Sequence, residues 1–241
     1  MTYRRFHLLF NAPVMLALAI LVVIQGTTAA TMGLLAGLCL LVVTVTFPWD
    51  NWAVRRGVWE FGDGTVWCRV RALPIEEVAF FVIQTIEVAL LTLLLMPLHQ
   101  APAPLDIEPS LPTLLTCAVL VLVVVGLYRP CLRLRQRRPD TTYAVHLLYW
   151  ISPFLIIQWI IGWEVLISEW VALVGATVAV GTYLTMADVA AVRRGIWFFD
   201  HAQVQPTRLW GILPWEEMAF FYLTSLLVAQ SMILLAPAGV R

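Results

Sequence analysis

The sequence predicts an all-α polytopic membrane protein: seven transmembrane helices arranged as two parallel three-helix repeats joined by a linking helix. Three observations lead there. The chain is 61% hydrophobic and only 12% charged over 241 residues, with a mean hydropathy of +0.86, whereas about a quarter of the residues of a soluble domain are charged. It contains seven stretches that approach the roughly 20 mainly apolar residues a spanning helix needs. One long motif block also occurs twice.

The seven stretches are 6–24, 32–47, 75–98, 111–128, 143–161, 168–187 and 214–236. The first follows Arg4 and Arg5, as a signal peptide would, but it belongs to the repeat and is expected to be retained. Pro13 interrupts it and Pro153 interrupts the fifth, while the second is short. The third and seventh open directly after Pro74 and Pro214, where a first-turn proline loses no helix hydrogen bond. The fourth has no counterpart in the repeat and acts as the linker.

Arginine sets the orientation, because short loops rich in positive charge stay cytoplasmic. The 15 basic residues are all Arg. Arg4 and Arg5 precede the first stretch; Arg55, Arg56, Arg69 and Arg71 lie between the second and third; Arg129 to Arg138 follow the fourth; and Arg193, Arg194 and Arg208 lie between the sixth and seventh. All of these fall on one face, and the opposite loops lack Arg until the terminal Arg241. A multi-pass protein of the cytoplasmic membrane is expected, with its N-terminus inside and its C-terminus outside.

The repeated block runs from Asp50 to Phe61 and again from Asp188 to Phe199, sharing Arg-Arg-Gly at Arg55–Gly57 and Arg193–Gly195. A second block, Leu73-Pro74-Ile75-Glu76-Glu77 through Phe80-Phe81, recurs as Leu213-Pro214-Trp215-Glu216-Glu217 through Phe220-Phe221. Three helices alone would invert the second copy; the linking helix makes the copies parallel. The expected units are 1–98, 99–138 and 139–241, with the third and seventh helices facing each other across a shared cavity.

Two readings stand for most motif residues. Glu pairs in a first helical turn complement the helix dipole, yet a pair that occurs twice at membrane-helix starts also suits acid–base chemistry. Arg55 and Arg193 either satisfy the charge bias of a cytoplasmic boundary or partner Asp50, Asp188 or a motif Glu. Phe80, Phe81, Phe220 and Phe221 either pack or offer π faces to a cation. Glu87, one near-integral number of turns beyond Glu76, is a carboxyl at membrane depth and so a functional candidate, or it hydrogen-bonds Gln84, Thr85 or another helix. Its counterpart is Leu227. The four Cys are isolated, the four His form no ligand pattern, and nucleotide and diphosphate–magnesium motifs are absent from the sequence. No metal or cofactor is expected, and the balanced charge gives no footprint for nucleic acid.

These motifs, Pro74-Ile75-Glu76-Glu77 and Pro214-Trp215-Glu216-Glu217 behind their Arg-Arg-Gly blocks, resemble the two-subunit or fused membrane type of lycopene cyclase found in bacteria, archaea and fungi. The resemblance covers nearly the whole chain and implies the fused form. It implies that Glu76, Glu77, Glu216 and Glu217 match the catalytic motif, that Asp50 and Asp188 match a loop Asp, and that the ψ ends of lycopene become rings without a flavin. The Phe-Phe-Asp ending at Asp200 is Phe61-Gly62 in the first copy. The implied partners are lycopene, membrane lipids and other enzymes of the carotenoid pathway. The implied reaction is an isomerisation: a neutral carboxylic acid protonates a terminal alkene, the tertiary cation is captured by the neighbouring alkene, and a ring proton is lost to a carboxylate.

The helix face through Glu76, Phe80 and Ile83 to Glu87, or through Glu216 and Phe220 to Leu227, leads to the expectation that Glu76 and Glu216 face the cavity, with Glu77 and Glu217 as helpers. Competing readings are a cyclase for C50 carotenoids or another ring isomer, a small transporter of the same three-plus-one-plus-three layout, which needs more polar lining at mid-membrane, and a scaffold that recruits partners through its Arg-rich loops.

Overall fold

The computed structural model describes residues 1–26, 28–96 and 110–236. Among them seven helices are long and apolar enough to cross a membrane. They are α1 (Tyr3–Gln25), α2 (Ala29–Arg56), α3 (Ile75–Leu95), α4 (Leu111–Arg137), α5 (Thr142–Ser168), α6 (Trp170–Arg193) and α7 (Trp215–Leu235). The loop expected around 99–109 and the terminal Arg241 lie outside the described residues.

Several boundaries differ from the hydropathy reading. α2 runs past the apolar stretch to Arg56, so Asp50 sits on a helix, and Asp188 likewise sits on α6. Neither is a loop residue. α4 extends to Arg137, which makes most of the Arg-rich segment helical. α5 continues through the expected loop at 162–168, but Gly162 leaves helical geometry (φ −142°, ψ 30°) where the hydropathy had ended it. The reason is common to all: hydropathy marks the slab a helix crosses, while the backbone continues until a stop signal. For α2 that stop is Gly57, left-handed at φ 71° and closing the helix on the carbonyls of Ala53 and Val54. Gly195 is left-handed too, at φ 64°, which explains the glycine in both Arg-Arg-Gly blocks.

Short strands tie down one end of the bundle. β1 (Trp59–Phe61) pairs antiparallel with β4 (Trp197–Phe199), with Glu60 opposite Phe198. These two residues are repeat equivalents, so the pairing is centred on a local two-fold relation. β2 (Arg69–Val70) and β3 (Leu73–Pro74) form a hairpin that leads into α3, and β5 (Arg208–Leu209) and β6 (Leu213–Pro214) form one that leads into α7. The repeat offset grows from 138 at Trp59 and Trp197, to 139 at Arg69 and Arg208, to 140 at Leu73 and Leu213. The two extra residues of the second copy are thus one in the loop and one at the hairpin tip.

α3, α6 and α7 form the centre, with about half of each buried, while α4 buries nothing and lies at the periphery against α5. α3 and α7 meet through Phe80 and Phe221, whose rings are 6.0 Å apart edge to face, and through Gln84, which donates to Thr224 at 2.6 Å. Gln84 and Thr224 are again repeat equivalents. α6 approaches α7 closely because Gly181 leaves room for Tyr222, whose ring an added Cβ would meet at 3.1 Å. The outward faces of α1, α2 and α4 expose large apolar side chains such as Leu16, Leu40 and Leu122, as a lipid-facing surface does.

Candidate active site

Each hairpin ends on a proline that is the N-cap of the helix behind it, and the Glu pair, after one intervening residue, lies in the first turn with its side chains pointing in different directions. Successive helical residues diverge by about 100°. Glu76 turns back toward the hairpin loop, where its Oε1 accepts the backbone N–H of Trp67 at 2.9 Å. Glu216 does the same with the N–H of Gln205 at 2.8 Å. The second glutamate of each pair points the other way, into a cavity at the two-fold centre. There Glu77 accepts the Tyr3 hydroxyl at 2.9 Å and Glu217 accepts the Tyr143 hydroxyl at 2.5 Å.

This reverses the expected division of labour. Glu77 and Glu217 line the cavity, whereas Glu76 and Glu216 do not. Glu76 and Glu216 share a helix face with Phe80 and Phe220, yet the first-turn carboxyls are drawn to the backbone N–H groups of Trp67 and Gln205.

Asp50 and Asp188, each 1% exposed, complete the ring of acids. Among the described residues neither Asp50 oxygen has a hydrogen-bond donor. The same holds for both Asp188 oxygens. Aromatic rings make the walls. Trp59, Phe61, Trp197 and Phe199 close the cavity from β1 and β4, and Trp49, Phe80, Phe220 and Phe221 line it from the helices. Its volume is about 40 Å³, room for a few waters.

Other expected residues lie elsewhere. Arg55 and Arg193 are exposed, and among the described residues the one ion pair is Arg138 with Asp140. They therefore do not partner the acids: the last turn of α2 or α6 points them outward, beyond the cavity. Phe81 is buried but does not line the cavity, although its equivalent Phe221 does. Glu87 is fully buried away from it. It bonds neither Gln84, which serves Thr224, nor Thr85, whose hydroxyl donates to the Phe81 carbonyl at 2.7 Å. Asp200 is an exposed turn residue that accepts from Ala202 N–H and the Gln203 amide, both at 2.9 Å. Its hydrogen-bond donors, the Ala202 N–H first, hold its carboxyl below the usual carboxylate range.

Sequence reading missed Tyr3 and Tyr143. The signal was present: Thr2-Tyr3 followed by His7-Leu8-Leu9 recurs as Thr142-Tyr143 followed by His146-Leu147-Leu148, one residue shorter. The extra residue is absorbed by a π-helical turn at His7–Asn11, the usual structural result of a single insertion in a helix. His7 Nε2 donates to the Glu76 carbonyl at 3.0 Å and its ring stacks on Phe80, tying α1 to the start of α3. Among the described residues no three His, Cys, Asp or Glu side chains are arranged to ligate a metal ion.

Four carboxyl groups and two phenols thus share one ring-walled cavity that no Arg lines. Burying four charges together without a cation is costly, which suits carboxyl groups that can give a proton to a weak base and take one back.

No family model and no solved structure matches the chain. Among curated proteins it is similar to the lycopene beta-cyclase of Halobacterium salinarum, 32% identical over 214 residues, which cover 86% of this chain and 83% of that protein. It is also similar to the bifunctional lycopene cyclase/phytoene synthases of Arthroderma gypseum (29% identical, 94% of this chain and 40% of that protein) and Phycomyces blakesleeanus (27% identical, 92% of this chain and 37% of that protein). The chain spans about two fifths of the length of these fungal relatives. With a relative of that identity matched over most of both chains, this membrane protein belongs to the lycopene cyclase family.

Proposed function

We propose that the protein is a lycopene β-cyclase of carotenoid biosynthesis and that Glu77 and Glu217 handle the protons of ring closure. The observation that carries the second half of this reading is the duplicated Tyr–Glu pair, Tyr3 with Glu77 and Tyr143 with Glu217, beside Asp50 and Asp188 inside an aromatic cavity.

The chemistry follows from that environment. A neutral glutamic acid protonates the terminal trisubstituted alkene of lycopene, forming a C–H bond and a tertiary cation. The neighbouring alkene attacks the cation, closing a six-membered ring and moving the charge to a ring carbon. A carboxylate then removes a ring proton, leaving the ring double bond. Formula and electron count are unchanged. An alkene is a poor base, so the acid works only where water is excluded, and the faces of Trp49, Phe80 and Phe220 stabilise the cation as it moves. The Tyr hydroxyls hold the Glu side chains in place and return a hydrogen bond to whichever carboxylate forms. Glu76 and Glu216 act indirectly, by clamping the loops before the helices that carry Glu77 and Glu217.

The Arg distribution supports placing the motif end of the bundle on the cytoplasmic side of the cell membrane, with the N-terminus inside and the C-terminus outside. The duplicated blocks and pairings support two parallel repeats, 1–98 and 139–241, joined by the peripheral α4 unit at 99–138. The bifunctional names of the fungal relatives support an association with other enzymes of the same pathway.

The test is direct. Purified protein in liposomes loaded with lycopene, without nicotinamide or flavin, should yield monocyclic and bicyclic carotenes of unchanged mass on chromatography. Unchanged lycopene in the presence of folded protein would overturn the reading.

A further inference from the structure

A second, larger void lies deeper in the bundle. It is a groove of about 250 Å³ between α2, α5 and α7, lined mainly by apolar side chains, with Thr46, Gln158, Thr224 and Ser231 among them. It continues the acid cavity on two elements at once. On α2, Thr46 lines the groove, and Trp49 and Asp50, one turn on, line the cavity. On α7, Phe220 and Phe221 line the cavity, and Thr224 and Leu227, one turn deeper, line the groove. Where the two voids meet, Trp49 stacks on Trp150 with ring centroids 4.8 Å apart.

The repeat makes this groove informative, because a two-fold molecule should own two of them. Its mate would lie between α6, α1 and α3, where the side chains differ. Val45 and Leu227 on the groove correspond to Tyr183 and Glu87. The Tyr183 hydroxyl donates to the Phe10 carbonyl at 2.5 Å, lacing α6 to α1, and Glu87 is fully buried in the same region. α3 packs along α6, whereas the equivalent α2 barely meets α7 and stands away from it. The acid ring is nearly symmetric, but the helix packing around it is not.

We infer that the α2–α5–α7 groove holds the extended apolar polyene chain of the substrate while one end of that chain enters the acid cavity past Trp49 and Trp150. The inference rests on the proposed function. The cavity alone, at about 40 Å³, has no room for the chain, and the groove is a mainly apolar void that follows the cavity along α2 and α7, with the stacked Trp49 and Trp150 between them.

The experiment narrows the groove and reads kinetics with lycopene in liposomes. Val42→Trp fills its middle. Leu41→Trp narrows its lipid-facing edge, where 56% exposure leaves the core undisturbed if the first variant does not fold. Leu40→Trp, 70% exposed and outside the groove, is the control. The expected result is a rise in KM of about tenfold or more, with a smaller change in kcat, in the groove variants and wild-type values in the control. Unchanged KM in folded Val42→Trp, or in Leu41→Trp where the former fails to fold, would overturn the inference and leave the groove to a membrane acyl chain. Inactivity of the wild-type protein would instead mark failure of the proposed function.

Discussion

At the scale of single residues, two neighbouring glutamates with the same sequence signature have different surroundings. Glu77 and Glu217 meet phenolic hydroxyls inside the cavity, while Glu76 and Glu216 accept backbone N–H groups outside it. Glutamine keeps an acceptor oxygen but cannot deliver an acid proton, so one substitution separates the roles. Removing a positioned general acid or base typically costs about 10²–10⁴-fold in rate. Glu77→Gln and Glu217→Gln should each lose ring formation on that scale, whereas Glu76→Gln and Glu216→Gln should retain most of it. Carotenes formed per folded protein measure this. Equal losses in all four would show that the cavity pair has no special role.

At the scale of elements, the site is assembled by small pieces that cross between the halves. β1 and β4 form the aromatic cover, and Gln203 locks the junction by donating its amide to the Arg56 and Gly57 carbonyls at 3.1 and 3.0 Å and to Asp200 at 2.9 Å. These bonds satisfy carbonyls at the end of α2 that have no partner within the helix. Gln203→Ala should therefore lower stability in detergent by roughly 1–2 kcal/mol, seen as a lower thermal midpoint. The same junction has a pH signature. A carboxyl held below its ordinary range stabilises the fold above the titration range of an unfolded Asp and loses that contribution as pH falls through its folded value. The hydrogen-bonded Asp200 should thus make the midpoint decline toward acid, and Asp200→Ala should flatten part of the decline.

At the scale of the whole molecule, the local two-fold brings both motif blocks to one end of the bundle, where β1 meets β4. Reporters fused after Arg71, Arg138 and Arg208 should then all read cytoplasmic, and one after Arg241 should read exterior. Reporters after Arg71 and Arg208 on opposite sides would rule out parallel repeats. If the repeats are parallel, the reason for α4 follows: it buries nothing, and its one extra crossing would turn the second copy around so that Glu77 and Glu217 share a cavity.

What the sequence by itself determined is what depends on local composition and self-similarity. The seven spans follow from apolar length, because a bilayer slab selects about 20 residues wherever they occur. The duplication and the family resemblance follow from side-by-side comparison of Asp50–Phe81 with Asp188–Phe221. Tertiary structure alone decided rotation, pairing and symmetry breaking. Which glutamate faces inward depends on the backbone N–H groups of Trp67 and Gln205, which hold Glu76 and Glu216, and a helical stripe carries no record of them. Tyr3 and Tyr143 became equivalent only once the π turn had absorbed the residue that separates their segments. The difference between the surroundings of α2 and α6 arises from long-range packing around Tyr183, Phe10 and Glu87. Those contacts join residues up to 173 positions apart, and such distances leave no periodic trace along the chain.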